Sequence, residues 1–242
     1  MGLDLQRKLE ERAKERGAKY FGVADLEPAK DFIAEWGGEF LTKFPKAVSI
    51  GVRLHDSTVD EINQHDNPFS ITTYWYHVYR MVNPLLDRTG LEIGAILNEE
   101  GYKSYVIPSS CTVEREKLAG VFSHKLAAHL AGLGWIGKSA LLITPEIGPR
   151  LRWMTILTDA PLEAGEPLEN RCGDCTICVK ACPVKAFTGV SFDTPKPRSE
   201  IFDARKCQDY FELREGKIGV QACGMCVFVC PYGRKKKGGS RP

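Results

Sequence analysis

The chain has 242 residues, 43% of them hydrophobic, which suits one large domain or one domain with a small module. Its 33 basic and 31 acidic side chains nearly cancel, which excludes a global positive field that would attract nucleic acid. No apolar run is long enough to span a bilayer, and the first residues have neither the apolar core of a signal peptide nor a twin arginine.

Helical and extended patterns alternate through the first part of the chain. Leu5, Leu9 and Ala13 recur at helical spacing among charged residues, which predicts a surface helix over residues 3–17. Four further predicted elements follow in chain order: a strand at 20–24, a helix at 28–36, a strand at 47–52 and a polar loop at 55–68.

The longest helical pattern covers residues 70–100, and Pro84 is expected to kink it. Its opening stretch, residues 73–79, is dense in aromatic side chains. Two interpretations are open for these rings. They fill the protein core, or they form a wall for a flat cofactor with Tyr74 or Tyr76 as the source of a phenolic proton.

The next predicted strand, residues 103–107, ends in a polar loop at 108–112. This loop contains Cys111, the one cysteine outside the pattern described below. A lone intracellular cysteine is more often a small buried hydrophobe than a nucleophile. Its place in a polar loop at a strand end keeps the functional interpretation open.

A helix is predicted over residues 115–130, and it carries His124 and His129. We expect these histidines to form hydrogen bonds rather than to bind metal, because no cysteine or carboxylate completes a ligand set. The helix runs into a glycine-rich segment, residues 131–139. Its G-x-G-x-x-G match is weak evidence for dinucleotide binding, since it follows a helix instead of a strand.

Two strands are predicted after the glycine-rich segment, at residues 140–144 and 151–157. The turn at 145–149 should join them as a hairpin. Residues 158–170 are rich in proline, glycine and glutamate, which indicates a linker. We place a domain boundary in this linker, after residue 164.

Eight of the nine cysteines lie beyond the linker, in two interlocking sets of four. The first run reads C-x2-C-x2-C-x3-C-P, the bacterial pattern that holds a [4Fe–4S] cluster. In two-cluster ferredoxins the fourth cysteine of such a run binds the other cluster. The same exchange predicts one cluster on Cys172, Cys175, Cys178 and Cys230 and the other on Cys182, Cys207, Cys223 and Cys226.

Two structural zinc sites or a disulfide framework are the alternatives to iron–sulfur clusters. Zinc spacing explains neither the third cysteine of the first run nor the proline after Cys182 and Cys230. Clusters suit a reducing compartment, so we expect a cytoplasmic protein. A two-cluster module transfers electrons one at a time, so a second redox centre or a substrate is expected in the preceding domain.

The glycine-rich segment and the cysteine pattern together carry a family resemblance. Residues 131–138 read Ala-Gly-Leu-Gly-Trp-Ile-Gly-Lys, and Leu-Leu-Ile-Thr follows at 141–144. Arg205-Lys206-Cys207 precedes an aromatic residue by three positions, and the second cysteine run ends in Cys-Pro-Tyr. In these motifs the chain resembles the epoxyqueuosine reductase family, in a short form without that family's helical-repeat extension.

This resemblance implies an α+β fold. A nitroreductase-like α/β core of the cobalamin-binding type, shared with the reductive dehalogenases, would precede a C-terminal two-cluster ferredoxin-like module. The resemblance also implies a corrinoid whose cobalt is reduced through the clusters and then reduces the substrate. The candidate corrin contacts lie in the glycine-rich segment: Gly132, Gly134, Trp135, Gly137 and Lys138.

The chain departs from that family at the expected proton donor. In epoxyqueuosine reductases the strand corresponding to 104–107 leads into an Asp-Ser-Ala-Pro segment that supplies a carboxylate. Here the segment at 107–111 reads Ile-Pro-Ser-Ser-Cys and has no carboxylate. Reductive dehalogenases use a tyrosine as the acid. Tyr76 and Ser110 are therefore the candidate catalytic proton donors in this chain.

We predict three segments: a cobalamin-binding-type α/β domain at 1–164, a double [4Fe–4S] module at 165–233 and a basic tail at 234–242. The predicted function is a corrinoid-dependent iron–sulfur oxidoreductase. Its electron donor would be a ferredoxin or flavodoxin, and its substrate is open, with tRNA among the candidates. The alternatives are an electron-transfer protein that docks to a partner without a corrinoid of its own, and an RNA-binding protein that uses the basic tail.

Overall fold

The computed structural model describes residues 2–192 and 197–234, which form two compact units. Each unit is discontinuous in sequence. The first comprises the chain up to Arg53 with Val82–Gly134 and Arg152–Leu168, and the second comprises Leu54–Met81, Trp135–Leu151 and the chain from Glu169. The predicted boundary after residue 164 divides the sequence in another way and stays a prediction. Apart from Arg234, the predicted basic tail lies outside the described residues.

The first unit is built on a four-stranded sheet in the order β1-β2-β6-β3. Strand β1 is antiparallel to β2, and β3 is antiparallel to β6. The strands are β1 (Tyr20–Asp25), β2 (Lys46–Arg53), β3 (Ser104–Ile107) and β6 (Leu151–Thr158). The helices are α1 (Gly2–Glu15), α2 (Lys30–Gly37), α5 (Asn83–Glu99) and α6 (His124–Leu130).

Helices cover both faces of this sheet. Gly90 and Gly94 of α5 lie directly on it, since a Cβ atom on Gly94 would lie 2.8 Å from Val106 Cγ2 and one on Gly90 would meet the Met154 side chain. Glycine weakens an isolated helix, and here it lets the backbone approach the strands. Neighbouring residues of a strand face opposite sides, so Trp153 lies on the face opposite Met154, where it packs on Gly51. Helix α6 contacts β1 and β2.

Most predicted elements of the first unit are confirmed. Helix α1 buries Leu5, Leu9 and Ala13, as its periodicity predicts. The helix predicted over 115–130 is wrong in its first half, because α6 begins only after Ser123, whose side chain accepts a hydrogen bond from the Leu126 amide. The preceding residues form a tight bridge between Glu114 and Ala119. Leu118 has a φ of 50° there, which no helix accommodates.

The predicted hairpin of 140–144 with 151–157 is also wrong. Residues 142–143 form β5 (Leu142–Ile143), which pairs antiparallel with β4 (Trp135–Ile136) in the second unit. The later strand, β6, lies in the four-stranded sheet between β2 and β3. Thr144 and Gly148 close a tight turn through two backbone hydrogen bonds of 3.0 and 3.1 Å, and this turn redirects the chain.

The second unit contains two short helices before its cysteines, α3 (Asp56–Asp60) and α4 (Pro68–Tyr76). A loop was expected over residues 55–68, and this expectation is wrong. The segment is largely helical because Val59 and Ile62 bury one apolar face, a pattern too sparse to detect among its polar residues. Three helices follow among the cysteines: α7 (Ile177–Ala181), α8 (Ala204–Ile218) and α9 (Met225–Phe228).

The long helical pattern at 70–100 is confirmed as two α-helices, α4 and α5. A π-helical segment, His77–Val82, separates them and puts Pro84 in the first turn of α5, where its missing N–H is tolerated. The kink expected at Pro84 stays a prediction. Among the described residues, no helix combines the length and apolar character needed to cross a bilayer.

Candidate iron–sulfur site

The second unit gathers the eight predicted cluster cysteines on short helices and tight turns. The amide of Cys175 donates a 3.0 Å hydrogen bond to the Cys172 carbonyl, and Gly173 between them has a φ of 47° that glycine adopts without strain. Asp203 caps α8 through a 3.0 Å bond to the Lys206 amide. This cap fixes the helix that carries Cys207.

Neighbouring thiols are among the causes that raise the pKa of several of these cysteines. Cys172 and Cys178 raise the pKa of Cys230, although about fifty residues separate them from it in sequence. Cys223 and Cys182 raise the pKa of Cys207, and the pKa of Cys226 is raised by Cys223, Cys207, Cys182 and also Cys178. The thiols thus lie near one another, and their division into two sets of four stays a prediction.

Burial raises the pKa of five of these thiols, those of Cys178, Cys207, Cys223, Cys226 and Cys230. Desolvation is the largest cause that raises the pKa of Cys207 and of Cys230, each to about 12, and neighbouring thiols raise it further. Burial also raises the pKa of Cys226. A thiolate is the form that binds iron, so iron binding must release protons from these groups. A buried thiolate is costly by itself, and the positive charge of an iron core would compensate it.

Backbone amides point at the sulfur atoms. The Ala186 N–H donates to Cys182 Sγ at 3.3 Å, and the amides of Tyr232 and Gly233 donate to the Cys230 thiol. Hydrogen bonds of this type stabilise thiolates and set the reduction potentials of clusters. Across residues 2–192 and 197–234, no three metal-ligating side chains converge closely enough for a single metal ion. A four-iron cluster is larger than one ion and holds its thiolates farther apart at its corners.

The glycine-rich segment lies against the first cysteine loop. A Cβ atom on Gly137 would lie 3.1 Å from Cys172 Sγ, and Lys138 Nζ donates a 2.6 Å hydrogen bond to the Gly173 carbonyl. Trp135 is 1% exposed, its ring centroid is 4.9 Å from that of Tyr232, and its indole N–H has no hydrogen-bond partner within the described part of the chain.

These features fit a first iron–sulfur cluster. The close approach of Gly137 to Cys172 leaves room for no side chain beside the sulfur, and the unpaired indole N–H of Trp135 lies buried in the same region. A buried donor without a partner is costly, and a cluster sulfur would satisfy it.

The residues predicted to contact a corrin all have contacts within the protein. Lys138 is engaged with Gly173, and Gly137 packs on Cys172. In the first unit, a Cβ atom on Gly132 would lie 2.5 Å from the Glu166 carbonyl oxygen, and the Gly134 carbonyl contacts His129 Nδ1 at 3.0 Å. Contacts within the protein thus account for the glycines and the lysine at these positions. Their contact with a corrin stays a prediction.

Gly137→Ala is expected to weaken the cluster held by Cys172 without unfolding the protein. The new methyl group would lie 2.9 Å from Ile143 Cγ1 and 3.1 Å from Cys172 Sγ, so the sulfur must move by a few tenths of an ångström. Iron release to a chelator, followed by visible absorption, should be several-fold faster than in the wild type. Gly216→Ala is the matched control, because nothing lies within 4 Å of that position and alanine favours its helix. Equal release rates would contradict the prediction.

The two candidate proton donors lie in different units. Tyr76, on α4 of the second unit, is 53% exposed, and its ring meets that of Trp75 edge to face. Ser110 lies in an exposed loop of the first unit. Tyr74 of the same aromatic stretch is buried, as the core interpretation predicts. Cys111 is exposed, so it is not the small buried hydrophobe that its isolation suggests.

His124 is a hydrogen-bonded helix residue, as predicted. Its Nδ1 lies 2.9 Å from Thr155 Oγ1 and its Nε2 lies 3.0 Å from the Pro108 carbonyl oxygen. The carbonyl only accepts, so Nε2 carries the proton of the neutral ring. Loss of solvation is the largest cause that lowers the pKa of His124 from 6.5 to about 4. The neutral ring thereby ties the loop of Ser110 to the sheet.

The free energy of unfolding should fall in acid because of His124. The unfolded chain binds a proton at this ring near pH 6.5, whereas the folded protein binds it only near pH 4, so stability present above pH 6.5 is lost as the pH falls towards 4. Between about pH 7.5 and about pH 5.5 the loss should be about 1.4 kcal/mol. Anaerobic urea titrations of wild type and His124→Gln measure it. The glutamine keeps a donor and an acceptor, so this variant should lack the added slope, and parallel slopes would contradict the assignment.

Two residues near the second set of cysteines were not predicted from the sequence. His65 Nε2 lies 3.2 Å from Cys223 Sγ, and the buried guanidinium of Arg214 lies 3.4 Å from His65 Nδ1. His65 belongs to the segment expected to be a loop, and 158 positions separate it from the cysteine. No spacing rule connects residues so distant in sequence. The position of Arg214 on the helix of Cys207 is the only available signal.

Comparison with known proteins agrees with this site. Residues 171–233 match the family described as a 4Fe-4S double cluster binding domain. Epoxyqueuosine reductase of Gloeobacter violaceus is 38% identical over 125 residues, which cover 47% of this chain and 36% of that protein. Epoxyqueuosine reductase of Aliivibrio fischeri is 29% identical over 171 residues, which cover 66% of this chain and 40% of that protein. The chain thus spans well under half the length of these relatives.

Solved structures share the fold. A catabolic reductive dehalogenase aligns with a TM-score of 0.67 at 21% identity, over 94% of this chain and 31% of that chain. An epoxyqueuosine reductase determined with an epoxyqueuosine-modified tRNA stem loop aligns with a TM-score of 0.62 at 20% identity, over 96% of this chain and 66% of that chain. The enzyme from Streptococcus thermophilus aligns with a TM-score of 0.60 at 22% identity, over 99% and 68%.

The match to the double cluster binding domain defines a double-cluster iron–sulfur protein, with two [4Fe–4S] clusters in its C-terminal part. The shared fold confirms the nitroreductase-like α/β core predicted for the preceding part. In sequence and fold the chain is similar to epoxyqueuosine reductases, which confirms the resemblance seen in its motifs.

Proposed function

We propose that this protein is an iron–sulfur oxidoreductase in which two [4Fe–4S] clusters relay electrons to a corrinoid. The observation that carries the proposal is the mutual effect of thiols from different cysteine runs. Cys172 and Cys178 raise the pKa of Cys230, and Cys223 and Cys182 raise that of Cys207, which supports an exchange of the fourth thiols. This exchange interlocks the two clusters, and electron transfer needs two centres held close to each other.

The proposed ligands are the eight cysteines of the two sets. Cys172, Cys175, Cys178 and Cys230 would hold one cluster, and Cys182, Cys207, Cys223 and Cys226 the other. The chain's part in the reaction is to bind these clusters, to shield the Cys226 sulfur by burial and to direct amide N–H groups at sulfurs such as that of Cys182. Tyr76 and Ser110 remain the proposed proton donors.

The corrinoid is proposed on fold similarity. A reductive dehalogenase structure described with a mechanism for B12-dependent dehalogenation aligns over 95% of this chain at 21% identity and a TM-score of 0.67. Bound corrinoid would supply a low-valent cobalt centre that the clusters can reduce. The glycine-rich segment does not show which residues would hold it. We infer further that a ferredoxin or flavodoxin in the cytoplasm donates the electrons, and that tRNA is a candidate substrate.

A second candidate function is electron transfer to a partner protein without a corrinoid. The observation that favours it is the engagement of Gly137 and Lys138 with the first cysteine loop. These residues would then stabilise a cluster-binding module, and the α/β domain would be a docking surface. Both candidates need two intact clusters and differ only in whether cobalamin binds.

Iron analysis and a cobalamin titration separate the two candidates. Anaerobically reconstituted protein should contain about eight irons per chain. Hydroxocobalamin is then added while visible spectra are recorded. Tight, saturable binding with a shift to the base-off spectrum supports the corrinoid enzyme. Full iron content with no spectral change supports the electron-transfer protein, and a chain that retains no iron contradicts both.

The tRNA substrate has its own test. Expression in a bacterial strain deficient in epoxyqueuosine reduction should restore queuosine in tRNA, measured by mass spectrometry of nucleosides. The matched control is Cys178→Ser, which should lose a cluster and the rescue together. Failure of the wild type, with iron content verified in the same cells, would contradict this substrate while leaving the cluster assignment intact.

A further inference from the structure

We propose that His65 and Arg214 set the reduction potential of the cluster on Cys182, Cys207, Cys223 and Cys226, through a hydrogen bond to the Cys223 sulfur. This inference needs that cluster but not the corrinoid, so it is independent of the electron acceptor. The two residues act on the cluster through Cys223. They are therefore positioning residues rather than catalytic ones.

The contact is a direct one between side chains of the second unit. His65 Nε2 lies 3.2 Å from Cys223 Sγ, within the distance expected for a hydrogen bond to sulfur. The histidine comes from the short segment between α3 and α4. That segment is held against the second cysteine run, where a Cβ atom on Gly224 would lie 2.7 Å from Ile62 Cδ1. The approach of His65 to the sulfur is thus built into the packing.

Arg214 fixes the direction of this hydrogen bond. Its Nη1 lies 3.4 Å from His65 Nδ1. A guanidinium is always protonated and can only donate, so Nδ1 must accept. In the neutral ring the proton then resides on Nε2, which points at Cys223. The sulfur therefore receives an N–H donor, and the tautomer follows from geometry alone.

The guanidinium is itself held in place. Arg214 is 5% exposed, its Nη2 donates to the His65 carbonyl, and its Nη1 lies 3.3 Å from Asp66 Oδ1. Tyr210, one helical turn earlier on α8, stacks on the His65 ring with an angle of 6° between the planes. The Asp66 side chain is 98% exposed, so solvent screens its charge. The buried positive charge of Arg214 is therefore only partly compensated.

Both groups favour the reduced cluster. Reduction adds one negative charge, which spreads over the iron and the thiolate sulfurs. A hydrogen bond to Cys223 and a buried cation behind it stabilise that charge more than the charge of the oxidised state. The potential of this cluster should therefore lie above its value without the two residues. The cluster on the other set of cysteines is an internal reference in the same molecule.

The test is a redox titration of His65→Phe monitored by electron paramagnetic resonance. Phenylalanine keeps a flat ring against Tyr210 but removes the donor. At a fixed applied potential the ratio of reduced to oxidised form should fall roughly tenfold for one cluster, which is about 59 mV for one electron. His65→Gln, with an amide donor, should recover part of the loss. His55→Phe is the matched control, because the His55 ring contacts that of His77, with 4.9 Å between the ring centroids, and among the described residues it forms no hydrogen bond to a thiol.

A potential that falls for one cluster only supports the proposal. Equal shifts of both clusters, or no shift with iron content retained, overturn it. If His65→Phe loses iron, a second measurement on the wild type tests the proposal. Protein with 15N-labelled histidine should show one histidine nitrogen coupled to a reduced cluster in pulsed electron paramagnetic resonance spectra. Absence of that coupling overturns the proposal. Iron content is measured on every sample. Absence of the coupling in protein with full iron content contradicts only the role of His65, whereas protein without iron contradicts the proposed function.

Discussion

Replacing Cys230 with serine is expected to remove about four of about eight irons and to leave the other cluster in place. Cys230 is the last cysteine of the second run in sequence. If each run held its own cluster, the Cys230→Ser variant would lose the cluster of Cys223 and Cys226. We assign it to the other set, because Cys172 and Cys178 are the thiols that raise the pKa of Cys230. Serine is a poor ligand for iron, so a cluster with three thiolates should be labile.

Double variants distinguish the exchanged assignment from the alternative in which each run holds its own cluster. Cys230→Ser with Cys175→Ser should retain the same four irons as either single variant, because both changes affect one cluster. Cys230→Ser with Cys207→Ser should retain none. Assignment by run predicts the opposite order. Iron and sulfide analysis of anaerobically purified protein, with a resonance spectrum of the dithionite-reduced state, measures the outcome.

Cys111→Ser is the control for this series. Cys111 is an exposed cysteine of the first unit, outside both sets, so its replacement should leave about eight irons. Circular dichroism checks that each variant folds. If Cys230→Ser and Cys226→Ser lose the same cluster, the exchange is disproved. The proposed pairing of His65 with one cluster would then need a new assignment as well.

The cysteine sets could be predicted because their chemistry is local in sequence. Ligands two or three positions apart fit one loop around a cubane, so spacing alone indicates both the metal and the ligands. The periodic helices and strands of the first unit were predictable for the same reason. Helix α1 carries the helical repeat that its core face requires, and strands β1 to β3 coincide with short runs that are rich in apolar residues.

Features that depend on contacts between distant segments could not be predicted. His65 meets Cys223 across 158 positions, and it lies in a segment whose helical face consists of two buried residues, Val59 and Ile62. The expected helix at 115–130 failed because Leu118 adopts a left-handed conformation that periodicity does not reveal. The paired strands at 135–136 and 142–143 are too short for an alternating pattern.

The glycine-rich segment shows how much of a motif the sequence can explain. Its glycines indicate close approach of the backbone, which is confirmed. Gly137 lies against Cys172, however, and Lys138 donates a hydrogen bond to the Gly173 carbonyl in the neighbouring loop. Sequence alone could indicate that a side chain was excluded there, but it could not identify the neighbour. Only the folded chain shows that the motif supports the cysteine module.

Removing both carboxylates that pair with Arg150 is expected to lower the free energy of unfolding by about 3 kcal/mol. Arg150 is 2% exposed in the second unit, and its Nη2 and Nη1 lie 2.6 Å and 3.3 Å from Asp60 Oδ1 and Asp56 Oδ1. The double variant Asp56→Ala, Asp60→Ala would leave a buried cation without these partners. A charge that cannot leave the interior and cannot lose its proton destabilises the folded state strongly.

Adding Arg150→Met to the double variant should restore part of this stability. Methionine fills the space beside Gly233, whose Cβ position lies 3.3 Å from Arg150 Cγ, and it carries no charge. The triple variant should therefore be more stable than the double one, although it contains one more substitution. Anaerobic urea titrations of cluster-loaded protein measure all three free energies.

The surface pair of Asp4 and Arg7 is the matched control for this series. Its atoms are 2.9 Å apart, but both side chains are more than two thirds exposed, so Asp4→Ala should change the free energy of unfolding by less than about 1 kcal/mol. A triple variant less stable than the double one would show that the arginine stem, rather than its charge, stabilises this region.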